Sequence, residues 1–321
     1  MTMQEQKKLQ RAETKLKAEG APAGLTAAVE TFKRKLNASQ QKNWTFLLLL
    51  VPSFVGMTVL FLLPLLDVVR RSFTLSMTSD WVGLSNYQNV INNQAFQLAA
   101  TNTSLFVLTA IPLLVASSLL IALFISKQRL FKDIYKAGFL IPLVIPVAAV
   151  ALIWQLLFDY SGLLNGMLTS LSLPAQNWLN SSLAFWVLVG GYLWRNLGFC
   201  TILWLAALSG ISPSLYEAAR IDGAGRWEVF RRITLPMVLP ACFTVVVLAI
   251  INSFKIYREA FLVAGSYPHE SMYTIQHLFN NWFASLSFDK ISAAATLVSI
   301  IMLALVLLLY RAWGLREERL R

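Results

Sequence analysis

Residues 217–240 read EAARIDGAGRWEVFRRITLPMVLP, a charged and polar stretch set between two long apolar runs. Glu217-Ala218-Ala219 opens a helix-forming segment, Gly223 interrupts it, and Arg226 to Ile233 resumes it. Leu235-Pro236 is expected to end the second piece where the next apolar run begins. The pattern predicts a helix–turn–helix lying on a membrane surface, organised as a docking element for a soluble partner.

The rest of the chain supports a membrane setting. Of its 321 residues 57% are hydrophobic and 13% charged, and the mean hydropathy is +0.60. Soluble domains carry roughly 25% charged residues, so a globular enzyme is excluded. A membrane helix needs about 20 mostly apolar residues. Six stretches qualify, near 44–66, 103–126, 137–158, 183–208, 237–263 and 291–310. A long polar segment precedes the first, so that stretch reads as a retained span rather than a cleavable signal.

The net charge of +11 arises from where the cations sit, not from nucleic-acid binding. Lys and Arg number nine in 1–43 and four each in 127–136, 209–236 and 311–321. The alternate loops hold only Arg70, Arg71 and Lys290. This inside-positive bias places both termini and the 209–236 segment in the cytoplasm. The chain thus divides into a basic N-terminal segment 1–43, a transmembrane domain 44–312 and a basic tail 313–321. The N-terminal segment suits contact with anionic membrane lipid.

Several chemistries find no residues to carry them. There is no phosphate-cradling glycine loop, no HExxH and no nucleophile elbow. A nucleotide therefore has no motif on this chain, and energy for any work must come from a partner or an ion gradient. Cys200 and Cys242 fall inside spans and read as small apolar packing residues. His269 and His277 lie in the loop 264–290 with no converging ligand set, and are expected to be ordinary loop residues.

The loop stretch Trp81-Val82-Gly83-Leu84-Ser85-Asn86-Tyr87 is aromatic and punctuated, and is expected to fold against the membrane surface. Within the spans, prolines at 52, 64, 112, 142, 146 and 240 permit kinks.

Ionisable groups inside spans are costly and point to function. This chain has Arg195 in the fourth span and Lys255, Arg258 and Glu259 in the fifth. Arg195 lies about 18 Å from the outer end of its helix at 1.5 Å per residue. Lys255 and Glu259 stand four apart and can pair on one helix face. Tyr192, Arg195, Asn196 and Phe199, with Asn252, Ser253, Ile256 and Tyr257, supply the mix of hydrogen-bonding and aromatic groups that binds sugars. The same residues also suit plain interhelical packing.

The spacing EAA, three residues, Gly, nine residues, Ile, one residue, Leu-Pro resembles the EAA motif of permease subunits in binding-protein-dependent ABC importers. Glu217, Ala218, Ala219, Gly223, Ile233, Leu235 and Pro236 occupy its fixed positions. Tyr216 and Asp222-Gly223-Ala224 look like the carbohydrate branch. Residues 81–87 are similar to its "FVGLxNY" stretch, and Asn252-Ser253-Phe254-Lys255 resembles its fifth-helix "SF" stretch.

The resemblance runs from about 44 to 312. It implies an all-α, polytopic membrane fold of six helices, that of a type I importer permease. It further implies pairing with a second permease, two cytoplasmic ATPases that carry ATP and Mg, and an extracytoplasmic solute-binding protein.

On this resemblance Glu217, Ala218, Ala219, Asp222, Gly223, Arg226 and Phe230 form the ATPase-docking loop, with Gly223 as its turn. Ala218, Ala219, Trp227 and Phe230 would supply its apolar contacts. Arg195, Asn196, Phe199, Ser253, Ile256 and Tyr257 are the substrate positions carried over. Arg195 and Tyr257 stand where the maltose-type subunit has asparagines, and Arg258-Glu259 replaces uncharged residues, so the cargo is not expected to be maltose. Arg195 suits either an acidic or highly hydroxylated ligand, or a structural salt bridge.

A permease for another solute, such as glycerol phosphate or polyamine, is the nearest alternative. An ion-coupled carrier would rest on Glu259 alone and leave the organised loop unexplained.

Overall fold

A computed structural model describes residues 50–128 and 132–318. The basic segment 1–43 lies outside the described residues. The chain divides into a leading unit ending at Asp67 and a main unit, Val68–Arg321. Among the described residues five helical runs are long and apolar enough to cross a membrane: Leu50–Arg71, Gln94–Ser126, Val147–Ser170, Arg226–Ala264 and Phe288–Arg311. A sixth is Leu183–Ser209 taken together with Pro213–Ile221, which bends away from it by 66°.

In chain order the helices are α1 (Leu50–Arg71), α2 (Ser85–Ile91), α3 (Gln94–Ser126), α4 (Lys132–Val144), α5 (Val147–Phe158) and α6 (Leu163–Ser170). They continue with α7 (Leu183–Ser209), α8 (Pro213–Ile221), α9 (Leu235–Ser253), α10 (Tyr257–Ala264), α11 (Ile275–Ala284) and α12 (Phe288–Glu318). Strand structure among the described residues is one isolated bridge, Thr74 to Trp81.

The main unit is built around α7, which packs against α3, α4 and α9. Its buried residues, among them Val187, Tyr192, Asn196, Cys200 and Trp204, are spread around the helix. Lipid tails are as apolar as leucine, so such packing relies on close approach and interhelical hydrogen bonds. Both are present. Tyr192 Oη donates to Ala249 O of α9 at 2.7 Å, and Trp204 Nε1 donates to Ser118 Oγ of α3 at 3.1 Å.

Close approach is set by two glycines. A Cβ on Gly198 would sit 1.7 Å from the Phe139 carbonyl oxygen of α4, and one on Gly191 would sit 1.6 Å from the Trp154 ring of α5. Backbone cannot move aside as a side chain can. Gly198→Ala should therefore force α4 outward, at about 1–3 kcal/mol or more. It should lower the melting temperature of the detergent-solubilised protein; an unchanged melt would show that α4 shifts freely.

Three sequence expectations are corrected here. The span predicted at 137–158 is two helices, α4 and α5, broken at Ile145-Pro146. Proline drives the residue before it out of helical geometry and has no N–H to continue the ladder.

Leu235-Pro236 does not end the second half of the polar loop. The helical run continues from Arg226 to Ala264 through a π turn at Phe230–Thr234, where Leu235 N–H reaches Phe230 O. The same device precedes Leu63-Pro64 in α1, where Leu63 N–H reaches Thr58 O across the π turn Thr58–Leu62. A widened turn relieves the contact between the proline ring and the preceding carbonyls, so the helix passes its proline intact.

Third, the fifth span is not uniform. A 3-10 turn at Phe254–Ile256 separates α9 from α10.

The aromatic stretch 81–87 folds back on the end of α1. Phe73 stacks on Trp81 at 5.2 Å, and Asn86 Nδ2 donates to Ser72 O and Thr74 O at 3.1 and 2.9 Å. The segment 159–182, which includes α6, is also organised, around the buried Asn165. Its amide donates to Tyr160 O and Gln176 O at 2.9 and 2.8 Å, and its Oδ1 accepts from Gln176 N and Trp178 Nε1 at 2.9 and 3.0 Å.

Candidate functional sites

The first site is the turn after α7. Ser212 and Pro213 start α8, with proline in the first turn where its missing N–H costs nothing. Asp222 caps the end, and Gly223 comes next with φ of +74°. Gly223 N–H donates to Arg220 O at 3.1 Å and Ala224 N–H to Ala219 O at 2.9 Å. Together these form a Schellman turn, which needs a left-handed residue at the glycine position. The Gly223 turn expected from the sequence is therefore present.

Tyr216 Oη and Thr234 Oγ1, 3.2 Å apart, tie α8 to the π turn. Ala219 is buried, which corrects its place among the outward apolar contacts. The opposite face is open. Glu217, Ala218, Asp222 and Arg226 are exposed, and so are Ile221 at 87% and Trp227 at 70%. Phe230 is half-buried and meets the Trp227 ring at 5.6 Å. Arg232 pairs with Glu228 at 3.0 Å. Ile221 is the residue of this face that the sequence pattern did not single out. Its signal was an isoleucine one helical turn from Ala218, where a surface helix should be polar.

The second site lies between α7 and α10. Arg195 Nη1 stands 3.0 Å from Glu259 Oε1, with side chains 21% and 3% exposed. The contact lacks hydrogen-bond alignment, and neither Arg195 Nη1 nor Glu259 Oε2 has a hydrogen-bond partner. Lys255 does not pair with Glu259. Its Nζ donates to Asn252 Oδ1 at 2.8 Å. The physical reason is the 3-10 turn. Its steps are about 120° each rather than 100°, and two of the four steps from Lys255 to Glu259 lie in it, so Glu259 comes round about 40° farther from Lys255 than a uniform helix would put it. Glu259 is thereby turned away from the Lys255 face and toward α7.

The other substrate candidates divide by burial. Asn196 is buried and donates to Tyr192 O at 2.9 Å. Ser253 is buried and donates to Ile250 O at 2.6 Å. Ile256 is buried, whereas Phe199 and Tyr257 are half-buried. Tyr257 packs beside Phe261 and His277, with ring centroids at 5.5 and 4.8 Å. The structure thus brings Arg195 to Glu259, and leaves Asn196 and Ser253 bonded within their own helices and Ile256 buried.

The histidines are not loop residues in the sense expected. His269 caps the 3-10 turn Glu270–Met272, and His277 is fully buried in the first turn of α11. No cluster of three or more His, Cys, Asp or Glu exists among the described residues.

The chain is 28% identical over 277 residues to the trehalose/maltose transport system permease protein of Thermococcus litoralis, covering 84% of this chain and 94% of that protein. It is 31% identical over 242 residues to the arabinooligosaccharides transport system permease protein of Bacillus subtilis, covering 71% and 77%. Its fold matches a chain of a bacterial ABC transporter involved in the import of the acidic polysaccharide alginate. That match has a TM-score of 0.77 at 22% identity, over 87% of this chain and 98% of the other. Residues 114–321 match the family described as binding-protein-dependent transport system inner membrane component, and the chain belongs to that family.

Proposed function

We propose that this chain is one of two permease subunits of an ATP-driven importer that moves an oligosaccharide or sugar derivative into the cytoplasm by alternating access. A solute-binding protein delivers the cargo on the outer side. Two ATPases dock on the α8–Gly223 turn and hold the ATP and Mg. The observation that carries this reading is the hydrogen-bonded turn at Gly223 with its exposed apolar pair, Ile221 and Trp227, rimmed by Glu217, Asp222 and Arg226. Such a surface suits a protein interface with an apolar centre and a charged rim. The inside-positive charge bias supports cytoplasmic termini. The curated relatives named for disaccharide and oligosaccharide transport support a sugar as cargo.

The ion pair refines the cargo. Glu259 neutralises Arg195 at 3.0 Å, so Arg195 is not a spare cation waiting for an acid. A neutral, hydroxyl-rich sugar meeting Tyr257 and Phe199 fits better than an acidic one. The complex reconstituted with its binding protein and ATPases should take up trehalose or an arabino-oligosaccharide in an ATP-dependent manner, in preference to oligoalginate. Uptake of oligoalginate alone would overturn the neutral-sugar reading.

A further inference from the structure

The sugar-facing role proposed for Tyr257 leaves one buried group without a task, His277. The start of α11 fixes this imidazole. Thr274 and His277 form a reciprocal capping box, in which Nδ1 accepts Thr274 N–H at 3.2 Å and lies 2.9 Å from Thr274 Oγ1. A nitrogen that accepts carries no hydrogen, so in the neutral ring the hydrogen is on Nε2. Burial lowers the His277 pKa to about 4, which keeps the ring neutral across physiological pH.

Nε2 is buried with no hydrogen-bond partner. The ring's surroundings are aromatic. Tyr273 lies against it at 5.7 Å with an interplanar angle of 29°. Tyr257 stands perpendicular to it, 4.8 Å away at 85°. A perpendicular ring pair is the arrangement in which an N–H can use an aromatic face when no acceptor is present.

The mount behind the ring is stiff. Ile275 N–H donates to Thr103 Oγ1 of α3 at 3.1 Å. Asn102 Nδ2 donates to Tyr273 O at 2.9 Å, and Asn281 Nδ2 to Tyr273 Oη and Ser266 O at 3.1 and 3.0 Å. Tyr257, by contrast, comes directly after the 3-10 turn, the kind of mid-helix break that often marks a hinge.

We propose that His277 is a positioning residue for Tyr257, a neutral imidazole locked by the α11 cap that holds the tyrosine ring in its cargo-facing orientation. This rests on Tyr257 facing the cargo, and the test separates the two claims. Two variants split the imidazole's roles. His277→Asn keeps an acceptor for Thr274 N–H and removes the ring. His277→Phe keeps a ring against Tyr257 and removes the acceptor.

In the full complex, with 3-fluorotyrosine at position 257 alone, the 19F resonance should shift and broaden in His277→Asn and stay near wild type in His277→Phe. For the sugar that wild type takes up, His277→Asn should raise the half-saturating concentration several-fold with the maximal rate within about twofold. His277→Phe should leave both nearly unchanged. A wild-type 19F signal in His277→Asn overturns the proposal. So do equal losses of melting temperature and maximal rate in both variants, which would mark His277 as a cap residue only. Should His277→Asn fail to assemble, His277→Leu, which removes the ring and keeps an apolar side chain, is read by the same signals. If wild type takes up none of the sugars, the sugar reading fails while the 19F comparison still decides whether His277 orders Tyr257.

Discussion

Glu259→Ala is expected to be the most damaging single substitution in the transmembrane core. Its side chain is 3% exposed and its partner Arg195 is 21% exposed. Removing one member of a buried ion pair costs about 3–5 kcal/mol, because the other charge is left uncompensated. The two truncations should not be equal. A lone carboxyl can take a proton and become neutral, whereas a guanidinium keeps its charge. Arg195→Ala should therefore lower the melting temperature and yield of the assembled complex less than Glu259→Ala does.

Replacing both, as Arg195→Met with Glu259→Leu, should recover most of the lost stability, since buried pairs add little beyond well-packed apolar groups. The double variant also reads function. Normal uptake with an unchanged sugar profile would make the pair purely structural. Altered selectivity at normal stability would place it in contact with the cargo. Wild-type stability of Glu259→Ala would refute the pairing itself.

Gly223→Pro is expected to abolish ATP-dependent uptake while the subunit still inserts and pairs. Proline holds φ near −65°, and this position stands at +74°. It also removes the N–H that donates to Arg220 O at 3.1 Å. The Schellman turn cannot form, so α8 and the segment from Arg226 no longer present one surface. Gly223→Ala is the graded control. Nothing lies within 4 Å of a Cβ there, so its cost is backbone strain alone, about 1–2 kcal/mol. Gly223→Asn should be milder, because asparagine visits this conformation readily. Co-purification of the ATPases and vesicle uptake would rank the series proline, alanine, asparagine, from worst to best. Full uptake by Gly223→Pro would show that the turn does not couple ATP hydrolysis to transport.

Much of this was legible in the residue string because it depends on local pattern. Runs of apolar residues locate most of the spans, since a membrane demands length and continuity whatever the helix touches, although the third runs over Val147–Ser170 rather than 137–158. Gly223 could be read as a turn because left-handed backbone has few tenants other than glycine. The family spacing from Glu217 to Pro236 made the same segment recognisable.

Other features are not local. That Leu235-Pro236 lies within a continuous helix depends on a π turn, which the reading of proline as a helix breaker does not anticipate. Which carboxylate meets Arg195 depends on the packing of α7 and α10, and on the rotation that the 3-10 turn at Phe254–Ile256 imposes. Counting four residues from Lys255 assumes one uniform helix, and the helix is not uniform.

The same division covers the whole protein. By itself the amino-acid order determines a multi-span, all-α membrane subunit and the turn that breaks its polar loop, because hydropathy and glycine stereochemistry act over a few residues. Only the tertiary structure decides that Arg195 is answered by Glu259, that Ala219 faces inward while Ile221 faces out, and that His277 sits buried against Tyr257. Those outcomes depend on which helix faces lie a few ångströms apart, and packing rather than sequence spacing sets that distance.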